Sequence, residues 1–335
     1  MPMPVRMVTR RHAKWLQLNL IDFVYKYAID MPMTPPSTIE FVEVGPRDGL
    51  QNESVLISTE DKLSLISRAI DVGCRRIEVA SFVHPKRVPQ MADAEAVCVG
   101  LPLRDDVTYI GLVLNARGAD RAIATGRINQ LGAVCVATDS FAIANQGQSS
   151  DESVAAAKGI VARARAAGLT GQVTISAAFG CPFEGEVSAD RIVVMALSVA
   201  EAEPVEIAIA DTIGVGDPAS VARLIARIRE AVSPIPIRVH FHNTRNTGLA
   251  NVWAAVCEGA SVVDSSIGGI GGCPFAPNAT GNVPSEDVVY MLERAGVNTG
   301  LDLEKMIAVS HWLGGIMGKQ LPGMVAKANM FPKAA

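Results

Sequence analysis

No apolar run in this 335-residue chain reaches the roughly 18 residues that a membrane-spanning helix needs. Surplus positive charge is missing too: 30 Lys and Arg stand against 34 Asp and Glu, a net charge of -4 that argues against nucleic acid as a partner. Cysteine is scarce. Cys74, Cys98, Cys135, Cys181, Cys257 and Cys273 are scattered with no CxxC pair, in a chain too long to need disulfide staples, which predicts reduced thiols in a cytoplasmic protein. Nor does a Gly-rich dinucleotide fingerprint follow the first β-rich run, which weighs against a doubly wound nucleotide-binding sheet. What is present, 49% hydrophobic and 19% charged residues, is the profile of a globular protein with ample material for a core.

Residues 1–38 differ in character from the rest of the chain. Arg6, Arg10, Arg11 and Lys14 precede Trp15 to Ala28, a stretch with a weak likeness to a targeting peptide, but Asp22 and Lys26 interrupt its apolar face and argue against a secretory signal. The segment reads as an N-terminal extension, either disordered or the product of a mis-assigned start, because Met31 or Met33 before Pro35-Pro36-Ser37 would open the protein directly ahead of its first strand. The glycosylation sequon at Asn278 carries no weight, since nothing else indicates secretion.

From residue 39 the chain repeats one unit. β-rich runs appear at Ile39 to Val44, Arg76 to Ala80, Thr108 to Leu114, Ala133 to Ala137, Val173 to Ala178, Val205 to Ala210, Ile237 to Phe241 and Ser261 to Ser265. Helical stretches such as Glu60 to Val72, Glu152 to Ala167, Ala189 to Glu201, Ala219 to Ala231 and Leu249 to Gly259 lie between them. Eight strands alternating with helices predict an α/β fold, a (β/α)8 TIM barrel over residues 39–300. Residues 301–335 form a C-terminal helical extension in which Met306, Val309, Trp312, Leu313 and Ile316, at helical spacing, pack on the barrel or on a second subunit.

In such a barrel the active site lies at the C-terminal ends of the strands. Reactive residues gather there: Arg47, Asp48 and Gln51 after strand 1, Glu78 and Ser81 on and beyond strand 2, Asp211 at the end of strand 6, and Cys273, Asn282 and Glu286 after strand 8. The end of strand 7 reads His240-Phe241-His242-Asn243. Period-2 alternation sends both imidazoles from one face about 6 to 7 Å apart, close enough to share an ion. Imidazole alone does not select the metal.

Several motifs resemble those of the 3-hydroxy-3-methylglutaryl-CoA lyase family. They are Glu43-Val44-Gly45-Pro46-Arg47-Asp48-Gly49-Leu50-Gln51-Asn52-Glu53, Ser81-Phe82-Val83, Gly180-Cys181-Pro182-Phe183-Glu184-Gly185, Asp211-Thr212-Ile213-Gly214-Val215-Gly216 and Gly271-Gly272-Cys273-Pro274. The wider group of barrels includes isopropylmalate and citramalate synthases and carboxyltransferase domains, and the Gly-Gly-Cys-Pro loop points to the lyase branch. The resemblance implies cleavage of a small-molecule acyl-CoA, with no nucleic-acid or membrane partner, by a homo-oligomer, dimer or tetramer.

It further implies a metal site of Asp48, His240, His242 and Asn282. One carboxylate, one amide and two imidazoles suit hard, six-coordinate Mg2+ or Mn2+, whereas a closed zinc site would want thiolates. Arg47 is expected to steady the enolate formed on the thioester, and Cys273 to deliver a proton from a closing Gly-rich loop. Asp211, Glu78 and His240 are the other acid–base candidates, and Gln51, Ser81 and Glu286 are expected to contact substrate beside Arg47. Two positions depart from the lyase pattern: Asn243 stands where the lyases carry Asp, and Ala208 where a substrate-contacting Ser is common. They leave citramalyl-CoA, or a condensing reaction, as alternatives.

Overall fold

Alternation of β-branched runs with capped helices closes the chain into a barrel of parallel strands: β1 (Glu40–Glu43), β2 (Arg76–Ser81), β3 (Thr108–Val113), β4 (Gln130–Val136), β5 (Thr170–Ser176), β6 (Ile207–Asp211), β7 (Ile237–Phe241) and β8 (Val262–Ser265). The computed structural model describes residues 35–272, 281–328 and 331. Each strand pairs with its neighbours in chain order, and β1 closes the ring against β8 from Glu40↔Val262 to Glu43↔Ser265 and against β2 at Glu43↔Ile77. Consecutive parallel strands need a crossover, and the helices between them supply it.

Several helices start where a side chain can satisfy their first amides. Thr59–Val72 is capped by Ser58, whose side chain accepts from Asp61 N, Ser150–Ala166 opens on a Ser149/Glu152 capping box, and Pro218–Val232 opens on an Asp217/Ser220 box. Their apolar stripes pack on the outside of the strands: Leu65, Ile66 and Ala69 in the first, Val221, Leu224 and Ile228 in the third, all buried.

Two strands begin earlier than their apolar runs. β4 starts at Gln130 and β5 at Thr170, because Gln130 and Gln172 turn into the barrel, where patterning alone predicts apolar side chains. Helices Ala94–Gly100, Ala116–Ala124 and Asp139–Gln146 are absent from the predicted stretches; each is short, so few positions define its buried face. The C-terminal helix Leu303–Met317 lies on the barrel's own helices, with Met306, Ile307, Val309, Leu313 and Met317 buried and Arg68 stacked 4.5 Å over the Trp312 ring. Ile316, expected on that face, is exposed. The predicted extension over residues 1–38 falls almost wholly outside the described residues. No helix among the described residues is long and apolar enough to cross a membrane.

Candidate active site and metal centre

After β1 the chain makes one wide π-turn, Gly45–Gly49, in which Val44 O accepts from Gly49 N at 3.1 Å. Such turns recur at functional sites, and this one places Arg47 and Asp48 together at the barrel mouth. On β7, alternation aims Arg238 and His240 inward, and His242 joins them just past the strand end. Asn282 arrives across a single antiparallel bridge that sets it beside His242. Gly271 closes in over Asn282 and Asp48 at a φ of 99°, and a Cβ there would lie 2.8 Å from Asn282 Nδ2 and 2.8 Å from Asp48 O.

The donors converge. Asp48, His240 and His242 each offer an atom within 4.8 Å of the others. Asp48 Oδ2 is 3.8 Å from His240 Nε2 and 3.9 Å from His242 Nε2, and it accepts from Asn282 Nδ2 at 3.0 Å. Asn282 Oδ1 is buried without a partner, an orphan acceptor that a half-turn of the amide would aim into the cluster. A carboxylate, an amide oxygen and two imidazoles gathered at one point are a donor set that suits a hard divalent ion. Behind them, Asp264 Oδ1 holds His240 Nδ1 at 2.7 Å, which fixes the ring and leaves Nε2 facing Asp48. Burial raises the Asp48 carboxyl, but Arg47 and the two histidines outweigh it and hold Asp48 well below the usual range.

Arg47 is buried and committed. Its Nε donates to Glu78 Oε2 at 2.7 Å, its Nη2 reaches the same oxygen, and its Nη1 donates to Asp48 Oδ1. Burial opposes the guanidinium charge, and Asp48 and Glu78 more than restore it. A salt bridge to Glu78 therefore exists alongside Arg47's place in the pocket wall. The cavity, about 150 Å³, is lined by Arg47, Asp48, Gln51, Glu78, Thr212, His240 and His242 among others. A groove of about 990 Å³ shares Gln51, Asn52, Val83, Leu114 and Asn145 with it and runs past His84, Arg87 and Arg117.

Three expected site residues lie elsewhere. Glu286 is fully buried behind the turn after β8, where it accepts from Gly268 N at 2.9 Å and from Ser310 Oγ at 2.8 Å, and it does not line the cavity. Ser81 is fully buried and outside the cavity lining. Asp211 accepts from Val215 N at 3.0 Å and Gly216 N at 2.8 Å, bracing its loop while Ala210 and Thr212 on either side face the cavity. Burial raises its carboxyl, but its oxygens are turned to backbone amides. Glu78 lines the cavity with its oxygens taken by guanidinium groups, which leaves little scope for proton shuttling. Cys273 lies outside the described residues.

Sequence reasoning missed Arg238 and Asp264. Arg238 shares the inward face of β7 with His240, a signal that was available; Asp264 stands just before the end of β8. Glu43 enters the sequence argument only as part of a motif. It is fully buried, and its Oε1 accepts from Gly45 N at 2.7 Å and Ile267 N at 2.9 Å.

A closed parallel barrel whose C-terminal mouth combines a divalent-cation donor set with a buried arginine defines the class as (β/α)8 enzymes with a metal centre at the strand ends. The HMGL-like family model matches residues 38–313, and the chain belongs to that family. A hydroxymethylglutaryl-CoA lyase of Bacillus subtilis is 39% identical over 290 residues, 87% of this chain and 97% of that protein, and a crystal structure of a Bacillus subtilis HMG-CoA lyase, also 39% identical, has a TM-score of 0.85 over 89% of this chain and 99% of that one. The (R)-citramalyl-CoA lyase of Chloroflexus aurantiacus is 40% identical, covering 87% of this chain and 95% of the relative. An Acinetobacter baumannii HMG-CoA lyase, solved with coenzyme A and 3-methylmalate, is 36% identical with a TM-score of 0.84 over 89% of this chain and 98% of that one.

Proposed function

We propose that this chain is a carbon–carbon lyase that cleaves 3-hydroxy-3-methylglutaryl-CoA between C2 and C3 to acetyl-CoA and acetoacetate, with Mg2+ or Mn2+ held by Asp48, His240, His242 and Asn282. The observation that carries the reading is the adjacency of Arg47 and Asp48 on one turn, which joins a fixed cation to the metal cluster at the same cavity. In the cleavage the C3 hydroxyl loses its proton, the C2–C3 pair moves onto the thioester as an enolate, and C2 takes up a proton. The ion, when bound, supplies positive charge that orients the substrate oxygens and eases loss of the hydroxyl proton.

Arg47 is placed to meet the enolate oxygen, and its ties to Glu78 and Asp48 hold it in position before charge develops. His240 has one nitrogen free of Asp264, so we assign it to the metal and not to proton transfer. Protonation of the enolate is assigned to Cys273 on the strength of the Gly-Gly-Cys-Pro resemblance. A cavity of about 150 Å³ suits only the acyl head. The remainder of the thioester runs into the adjoining groove, where the exposed Arg87 and Arg117 suit the phosphates of the coenzyme.

Citramalyl-CoA is the second reading. The relative named for it and the relative named for the methylglutaryl thioester differ by only one percentage point of identity, 40% against 39%. A panel assay separates them: purified protein with Mg2+ is given each thioester and acetyl-CoA release is followed. The expected result is a higher kcat/KM for the methylglutaryl compound with leakage to the other, since a methylene is worth only about 1 to 3 kcal/mol in an apolar pocket. A preference for citramalyl-CoA would replace the substrate; free thiol appearing only from acetyl-CoA with a keto acid would replace the lyase by a condensing enzyme.

A further inference from the structure

Arg238 lies fully buried on the axis of the barrel, where the usual filling is branched aliphatic. It donates from Nε to Asp264 Oδ2 at 2.6 Å and from Nη2 to Glu78 Oε1 at 2.9 Å, and its Nη1 lies 3.5 Å from Glu206 Oε1. Space for it comes from the register: Ala208 is its partner on β6 and offers only a methyl group. A buried ion network is weak evidence for stability, because its desolvation cost offsets much of the attraction. What the network does here is connect. Arg47 is held by Glu78, His240 by Asp264, and both acids rest on one guanidinium.

From this we infer that Arg238 is a positioning residue, which sets Arg47 and the metal ligand His240 relative to each other through Glu78 and Asp264. The side chains form a ring running Asp48, Arg47, Glu78, Arg238, Asp264, His240, and the ring is open only at the 3.8 Å space between His240 Nε2 and Asp48 Oδ2, where an ion would sit. Arg238 suits the task better than lysine. A planar fork serves two carboxylates in different directions, and an ammonium group is a single point charge. Glu206 is different: it takes two hydrogen bonds from Arg76, at 2.8 and 2.7 Å, and borders the ring without belonging to it.

The test is calorimetric titration of Mn2+ alone into the metal-free full chain, which needs no substrate. Arg238→Lys should bind Mn2+ about 10-fold or more weakly, as expected when the support of a ligand is lost, whereas Glu206→Gln should stay within about two-fold of the unaltered protein. Unchanged affinity in Arg238→Lys, or an equal loss in Glu206→Gln, overturns the inference, the second because any disturbance of the charged interior would then suffice. If Arg238→Lys does not fold, Arg238→Gln takes its place with the same expected loss; if neither folds while Glu206→Gln does, Arg238 serves stability alone and the inference falls. A second readout rests on the proposed cleavage: kcat of Arg238→Lys should fall by about 10-fold or more with little change in KM. If the unaltered protein cleaves no thioester, that functional reading fails while the Mn2+ result still decides the role of Arg238.

Discussion

Glu43 accepts a hydrogen bond from Ile267 N at 2.9 Å, so the last buried carboxylate of β1 holds the turn that follows β8. The same oxygen accepts from Gly45 N, and Ser285 Oγ lies 2.7 Å from the other. The turns after the first and the last strand therefore share one anchor.

Burial pushes the Glu43 carboxyl up to about 8, against hydrogen bonds that pull it down. A carboxyl raised above its unfolded value contributes stability that is complete below the unfolded value and is lost as pH climbs through the folded one. Thermal stability should therefore decline between about pH 4.5 and 8, with a slope of up to about 1.4 kcal/mol per pH unit from this residue. Glu43→Gln, neutral throughout, should flatten that stretch of the melting profile; an unchanged slope would assign the pH dependence elsewhere.

Chelation should abolish turnover and Mg2+ or Mn2+ should restore it. In Asp48→Ala or His240→Ala the added metal should restore nothing, because each removes a donor from a cluster whose atoms lie within 4.8 Å of one another. Full activity in excess chelator would remove the metal from the reaction.

Arg47→Lys should lower kcat by about 100-fold or more with KM little changed, the pattern of a contact made in the transition state. Lysine keeps charge but cannot span Glu78 and Asp48 together as the guanidinium does. A rise in KM at constant kcat would make Arg47 a substrate anchor instead.

Arg87→Ala combined with Arg117→Ala should raise KM for the CoA thioester by about 10-fold or more and weaken its salt dependence, leaving kcat near its original value. Both side chains border the groove and lie outside the cavity that takes the acyl head. Unaltered KM would place the coenzyme phosphates on another face.

Strand positions, the barrel and the convergence on one rim were legible because period-2 patterning and strand-end polarity are local properties. The pair His240 and His242 stands out on that basis, and their rings do lie together, with centroids 5.1 Å apart. Arg238 sits on the same face, yet its meaning depends on Asp264 and Glu78, which belong to other strands and become neighbours only when the ring closes. Glu286 shows the opposite case. It follows a strand end in sequence, but Gly268 N and a hydroxyl from the C-terminal helix draw its carboxylate into the protein.

The charged interior also bears on how the barrel can be divided. Arg76 and Glu78 come from β2, in the first half of the strands, while Glu206 comes from just before β6 and Arg238 and Asp264 from β7 and β8 in the second. A fragment ending after β4 would keep the contacts of Glu78 with Arg47 and of Arg76 with Glu40 but lose those with Arg238 and Glu206, and the complementary fragment would hold two acids against one arginine. Each piece on its own would open charge that the closed barrel keeps dry to water along the cut seam. Two such fragments would meet across a seam where Arg76 faces Glu206 and Glu78 faces Arg238, so charge matching would favour the native strand order over any other pairing of the cut edges.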